Sequence, residues 1–131
     1  MQNIGKLDKN KLRKYKNKVI TSQVILTDER LNEHILVKHF KEYIQLKPFL
    51  KEIIEETDII LDDNRYPNTI ILLKKIPYIK KNGRVVIKIA IADDKKHYKN
   101  SIITLIQLND RTWKQTLKNR GNIIFKVDKE E

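Results

Sequence analysis

Residues 58–92 read DIILDDNRYPNTIILLKKIPYIKKNGRVVIKIAIA, and the periodicity of this stretch decides the fold class. Asp58 to Leu61 predicts a short strand. DDNRYPN (Asp62 to Asn68) is a turn by composition, because Asp, Asn and Pro favour local reversals over ladder pairing. Thr69 to Ile76 predicts a second strand, and Pro77 and Asn82-Gly83 mark the next reversal. Asn-Gly between apolar runs is a hairpin signal, although this connection is longer than the two-residue kind. Arg84 to Ala92 then alternates, with Val85, Ile87, Ile89 and Ile91 on one face and Arg84, Val86, Lys88 and Ala90 on the other.

Working outward, DDKKHYK is a polar loop, Asn100 to Leu108 predicts a strand, Asp110 caps a short helix through Leu117, and Asn122 to Val127 closes as a last strand. Upstream, Val19 to Leu26 alternates loosely, as a short edge strand would. Thr27 is a good N-cap, and Asp28 and Glu29 complement the helix that follows to about His39 or Glu42. A second helix is predicted from Leu46 to Glu56, with Pro48 in its first turn and Phe49, Leu50, Ile53 and Ile54 forming its apolar stripe. Residues 1–18 are lysine-rich with sparse apolar positions and read as a basic leader, a frayed helix or extended arm, ahead of a single domain over 19–131. Helices first and an antiparallel meander afterwards mean α+β, with N-terminal helices packed on an antiparallel sheet.

The 131 residues suffice for one core without staples. With no cysteine, a disulfide framework, a thiolate nucleophile and a zinc ribbon are all excluded, which fits a protein acting in a reducing cytoplasm. No apolar run approaches membrane-spanning length, so the chain reads as soluble and no membrane partner is expected. Lys and Arg number 28 against 17 Asp and Glu, a formal net charge of +11. Such a surface draws polyanions, and phosphate backbones are the default partner. Drift toward Lys and Ile in a lysine-rich proteome is the bland alternative.

TDERLNEHILVKH (Thr27 to His39) carries an arginine and two of the three histidines. Metal-free RNA cleavage needs a base for the 2′-hydroxyl proton, an acid for the leaving 5′-oxygen and cations for the developing charge. RNA brings its own nucleophile, and histidine suits both proton roles. Arg30, His34 and Lys38 fall at i, i+4 and i+8, a cationic strip on one side of a helix, with His34 the candidate for proton transfer; a solvated helix face is the alternative. His39 aligns instead with Leu31 and Ile35, as a half-buried histidine bonded to a backbone carbonyl would. The two histidines are five apart and lack a third ligand, so no zinc site is expected. His97 falls in the polar loop without a named partner. Lys88 interrupts VVIKIAI and either snorkels or points into a site, while Lys74 near a strand end resembles an edge guard. Ser101 and Thr104 have an odd separation, so a regular strand puts them on opposite faces unless a bulge intervenes. Trp113 reads as core, and Tyr66 and Tyr78 as ordinary loop tyrosines or stacking platforms.

ERLNEHILVKH, the TDIILDDNRYPNTIILLKKI hairpin, VVIKIAI, KNSIITLIQL and WKQTLKNRGNIIF, in this order over residues 20–126, resemble the phage-type nucleases of the barnase, EndoU, colicin and RelE superfamily. The resemblance implies a helical pair on an antiparallel sheet of about four strands. It implies a metal-independent endoribonuclease without cofactor, a toxin or mobile-element effector that cuts RNA, such as tRNA, through a 2′,3′-cyclic phosphate. An acidic immunity or antitoxin protein is the implied second partner. It makes Arg30, His34, His39, Lys88 and Thr104 the catalytic candidates, and Lys74, Ser101, Lys118 and Asn119 the substrate-binding ones. The competing expectation is a non-catalytic nucleic-acid-binding accessory protein of the same fold.

Overall fold

The computed structural model describes residues 1–91 and 99–127. Seven strands, β1 (Gln2–Lys6), β2 (Gln23–Leu26), β3 (Ile59–Asp63), β4 (Thr69–Ile76), β5 (Lys81–Lys88), β6 (Asn100–Leu108) and β7 (Gly121–Lys126), form one sheet in the order β1-β2-β6-β5-β4-β3-β7. Every neighbouring pair is antiparallel except β2 and β6, which run parallel with Val24 beside Asn100 and Ile25 beside Ser101. The fold is therefore mixed α and β on a mostly antiparallel sheet, wider than the four strands expected. Among the described residues no helix is long and apolar enough to cross a membrane. His97 and most of the predicted polar loop lie outside the described residues.

Alternation sorts the side chains to two faces, each with its own core. Ile60, Ile70, Leu72, Val85, Ile87 and Leu105 share one buried cluster with Leu46, Leu50, Ile53 and Ile54 from the helices α3 (Phe40–Leu46) and α4 (Leu50–Glu55). Ile59, Leu61, Ile71, Leu73, Val86 and Leu108 form the second cluster, closed by Trp113 of α5 (Asp110–Asn119). Pro48 sits in a 3₁₀ turn between α3 and α4, where its missing N–H costs no ladder bond, so the second predicted helix starts later than Leu46. Asn109, not Asp110, caps α5. Its side chain accepts from the Thr112 N–H at 2.8 Å while the Thr112 hydroxyl accepts from the Asn109 N–H at 2.9 Å.

Two sequence expectations give way to packing. Residues 1–18 are not a detached leader. β1 pairs along β2, from Gln2 opposite Leu26 to Lys6 opposite Gln23, so β2 is an interior strand rather than an edge. Leu7, Leu12 and Tyr15 are buried in the larger core, and the Tyr15 hydroxyl donates to Asp62 Oδ1 at 2.6 Å. The anchoring apolar residues are too few to show a period, yet each removes a whole side chain from water, about 1.5–3 kcal/mol apiece. Asn82-Gly83 is also not the reversal, which falls on Pro77–Ile79 and a left-handed Lys80. Gly83 lies within β5, where a Cβ would stand 2.9 Å from Ile53 Cδ1, so the missing side chain admits α4.

Candidate functional site

Past β2 the chain enters a helical segment whose start is fixed by Thr27, its hydroxyl accepting from the Arg30 N–H at 3.1 Å. The segment is not uniformly α. Between the short α-turns Asp28–Arg30 (α1) and Leu36–Lys38 (α2), Leu31–Ile35 forms a π-turn, with the Leu36 N–H donating to the Leu31 carbonyl. A π-turn accommodates an extra residue, which brings side chains five apart to one side. The His34 and His39 rings accordingly meet edge-on, centroids 5.8 Å apart. His39 Nδ1 lies 3.2 Å from Glu42 Oε1, not on a backbone carbonyl, and Glu42 Oε2 accepts from the Gln107 N–H of β6 at 2.5 Å. The histidine pair is thus moored to the sheet.

A second irregularity lies opposite. Val86 of β5 faces Thr104 of β6, but Ile87 faces Ile102, so β6 carries Ile103 as an extra residue. Such a bulge resets the alternation. Lys88 then sits opposite Ser101 on one side and Thr69 on the other. Ser101 and Thr104, which a regular strand would separate, line the same pocket.

That pocket, about 630 Å³, brings together Arg30 and His34 from the helical segment with Lys88, Ser101 and Thr104 from the sheet. Asp63, Tyr66 and Arg120 complete its far wall. The Lys88 ammonium donates to the Pro67 carbonyl at 3.0 Å and so holds the β3–β4 turn. Arg120 Nη2 is 3.4 Å from Asp63 Oδ2, and the Asp63 side chain is fully buried. Partial desolvation lowers the His34 pKa from its ordinary 6.5, assisted by the positive charges of Arg30 and Lys38 and by His39. At neutral pH the imidazole is thus uncharged and able to accept a proton. Thr104 Oγ1 and Arg120 Nε are shielded from solvent yet have no hydrogen-bond partner among the described residues. Buried polar atoms are nearly always paired, so such orphans concentrate where a ligand or a rearrangement supplies the partner.

Five of the nine residues singled out from sequence therefore converge: Arg30, His34, Lys88, Ser101 and Thr104. His39 touches His34 but does not line the pocket. Lys74 pairs with the buried Asp58 at 3.5 Å. It follows Thr69 by an odd number of residues along β4, which places it on the opposite face. Lys118 is exposed on α5, and Asn119 borders a neighbouring groove, its carbonyl accepting from Asn64 Nδ2 at 3.1 Å. Arg120 occupies the place expected of that pair. It follows them directly, beyond the predicted end of the helix, where a second cation beside Lys118 carries no signal of its own. Tyr66 does line the pocket, whereas Tyr78 stacks on Phe49. Among the described residues no group of three or more His, Asp or Glu side chains could hold a metal ion. No protein-family model, curated protein or solved structure matches the chain.

Proposed function

We propose that the chain is an endoribonuclease of the barnase, EndoU, colicin and RelE type, a toxin or mobile-element effector that cuts RNA by attack of the 2′-hydroxyl on the adjacent phosphate. The observation that carries the reading is the convergence of a neutral imidazole (His34), three cations (Arg30, Lys88, Arg120) and two hydroxyls (Ser101, Thr104) on one pocket. His34 takes the 2′-hydroxyl proton. The 2′-oxygen bonds to phosphorus, the bond to the 5′-oxygen breaks, and Lys88 supplies the leaving oxygen with a proton. Arg30 and Arg120 offset the charge that builds on the phosphorane oxygens, where fixed cations act without reorganising. The strand retains a 2′,3′-cyclic phosphate, and no step asks for a metal or cofactor. Asp63 is the counter-charge that keeps Arg120 extended toward the pocket.

The test is incubation of the purified protein with total tRNA in EDTA, followed by mass analysis of the new 3′ ends. Cyclic phosphate termini are expected from the wild type and none from His34→Ala. Intact RNA at micromolar protein overturns the reading. A basic cleft of this kind also suits an acidic inhibitor protein placing Asp or Glu among the same cations, an association whose rate falls steeply with salt.

A further inference from the structure

Arg120 borders two depressions. Beyond the pocket that holds His34 lies a second groove of about 290 Å³, lined by Arg65, Arg84, Thr112, Gln115, Asn119 and Arg120. Three separate parts of the fold converge there. Arg65 follows the end of β3, and its N–H donates to Asp63 Oδ1 at 2.7 Å. Arg84 rises from β5 on the same face as Val86 and Lys88, opposite Ile106 of β6. Arg120 ends α5, its carbonyl accepting from the Asn64 N–H at 3.0 Å. The turn after β3 and the end of α5 are therefore tied together through the backbone, which brings the three arginines to the lining of one groove.

Electrostatically the arrangement is costly unless something negative enters. Burial, then the charges of Arg120 and Arg65, lower the Arg84 pKa, while Asp63 and Glu42 only partly oppose them. Arg84 Nε and Arg120 Nε are both buried without a hydrogen-bond partner among the described residues. Like charges gathered with unused donors match an anion that accepts several bonds at once, and a guanidinium meets a phosphate through two parallel N–H groups.

We propose that Arg65, Arg84 and Arg120 form a second phosphate subsite, which holds a backbone phosphate flanking the one presented to His34. Arg120 is the shared wall, so the substrate is a strand running across both depressions rather than an isolated nucleotide. The inference rests on the nuclease reading for cleavage but not for binding. The second depression recognises phosphate charge, not the 2′-hydroxyl, and treats RNA and DNA strands alike.

The experiment is fluorescence anisotropy with labelled mixed-sequence hexanucleotides, one 2′-O-methylated and hence uncleavable, one of DNA, between roughly 50 and 200 mM salt. Arg84→Gln and Arg65→Gln are compared with wild type and with Lys51→Gln, an exposed cation on α4. Each lost phosphate contact on a single strand should make the log–log salt slope shallower by about 0.7, or about fivefold weaker binding at 0.1 M. Both arginine variants should show this on both probes, with Lys51→Gln unchanged. Arg65 is exposed, so its variant carries the test if thermal melting shows that Arg84→Gln fails to fold. Wild-type affinity and slope in both arginine variants would overturn the subsite. So would failure of the wild-type protein to bind either strand, the outcome expected if the cluster serves an acidic protein instead. Binding that weakens as stated while tRNA stays uncut would uphold the subsite and remove the nuclease reading.

Discussion

Replacing Thr104 by valine should stabilise the protein and impair it at once. Thr104 Oγ1 is hidden from solvent with no hydrogen-bond partner among the described residues. A buried hydroxyl left unpaired costs about 1–3 kcal/mol. Valine has the same shape and branching, so it keeps the strand and the contacts with Val86 opposite without that penalty. The expected gain is about 1–2 kcal/mol, or about 3–8 °C in Tm for a chain of this size. Function should move the other way. The residue lines the pocket, and the proposed reading has its hydroxyl reach a phosphate by turning about χ1, between staggered wells about 120° apart. Losing a hydrogen bond to a charged oxygen, about 1.5–3 kcal/mol, lowers kcat/KM by roughly ten- to a hundredfold. Urea unfolding and tRNA cleavage on the same preparation measure both. A destabilised Thr104→Val would refute the unpaired hydroxyl, and a stabilised variant of full activity would refute its contact with substrate.

Cleavage should also follow the ionisation of His34. Its pKa is pushed below 6.5, so kcat/KM should rise with pH through a value under 6.5 and level off by neutrality; Lys38→Gln, relieving one repelling charge, should shift that limb upward in a pH–rate profile. Gly121→Ala should lose at least about 3 kcal/mol in urea unfolding, because a Cβ there would lie 2.0 Å from the Asp62 carbonyl oxygen and force β3 and β7 apart. Tyr15→Phe removes the hydroxyl that donates to Asp62 and should cost about 1.5–3 kcal/mol by the same measurement, as expected of a core residue and not of a leader. Deleting residues 1–18 should abolish the cooperative melt rather than trim an appendage, since Leu7, Leu12 and Tyr15 leave the larger core with them.

What the sequence disclosed follows from where local pattern and tertiary demand agree. Thr69–Ile76 and Asn100–Leu108 are rich in branched residues and bounded by turn-formers, and both form strands with those limits. Thr27 caps its helix because a threonine ahead of two acidic residues satisfies the same orphan N–H groups in any context. The missed features each depend on a distant partner. β1 is a strand because β2 offers it a ladder; its own five residues, QNIGK, show little β-preference. The π-turn at Leu31–Ile35 and the bulge at Ile103 each shift the residue count by one, and no composition marks either. These two slips each change which side chains share a side at the pocket. The first brought His39 onto His34, and the second put Ser101 and Thr104 on one pocket. Arg84 and Arg120 were passed over because a strand arginine and a helix-end arginine are commonplace until their neighbours are known.

The parallel pairing of β2 with β6 has a consequence in time. The wall bearing Arg30 and His34 follows directly on β2, and the floor bearing Ser101 and Thr104 belongs to β6, so the two halves of the pocket meet only when residues far apart in sequence close that ladder. Contacts of such separation form late, after the loop entropy between them has been overcome. On the ribosome, the front half emerges and waits. Until Asn100–Leu108 has emerged, a nascent chain carries the His34 imidazole without Ser101 and Thr104, so the proposed cleavage site is incomplete until β6 has been made and paired.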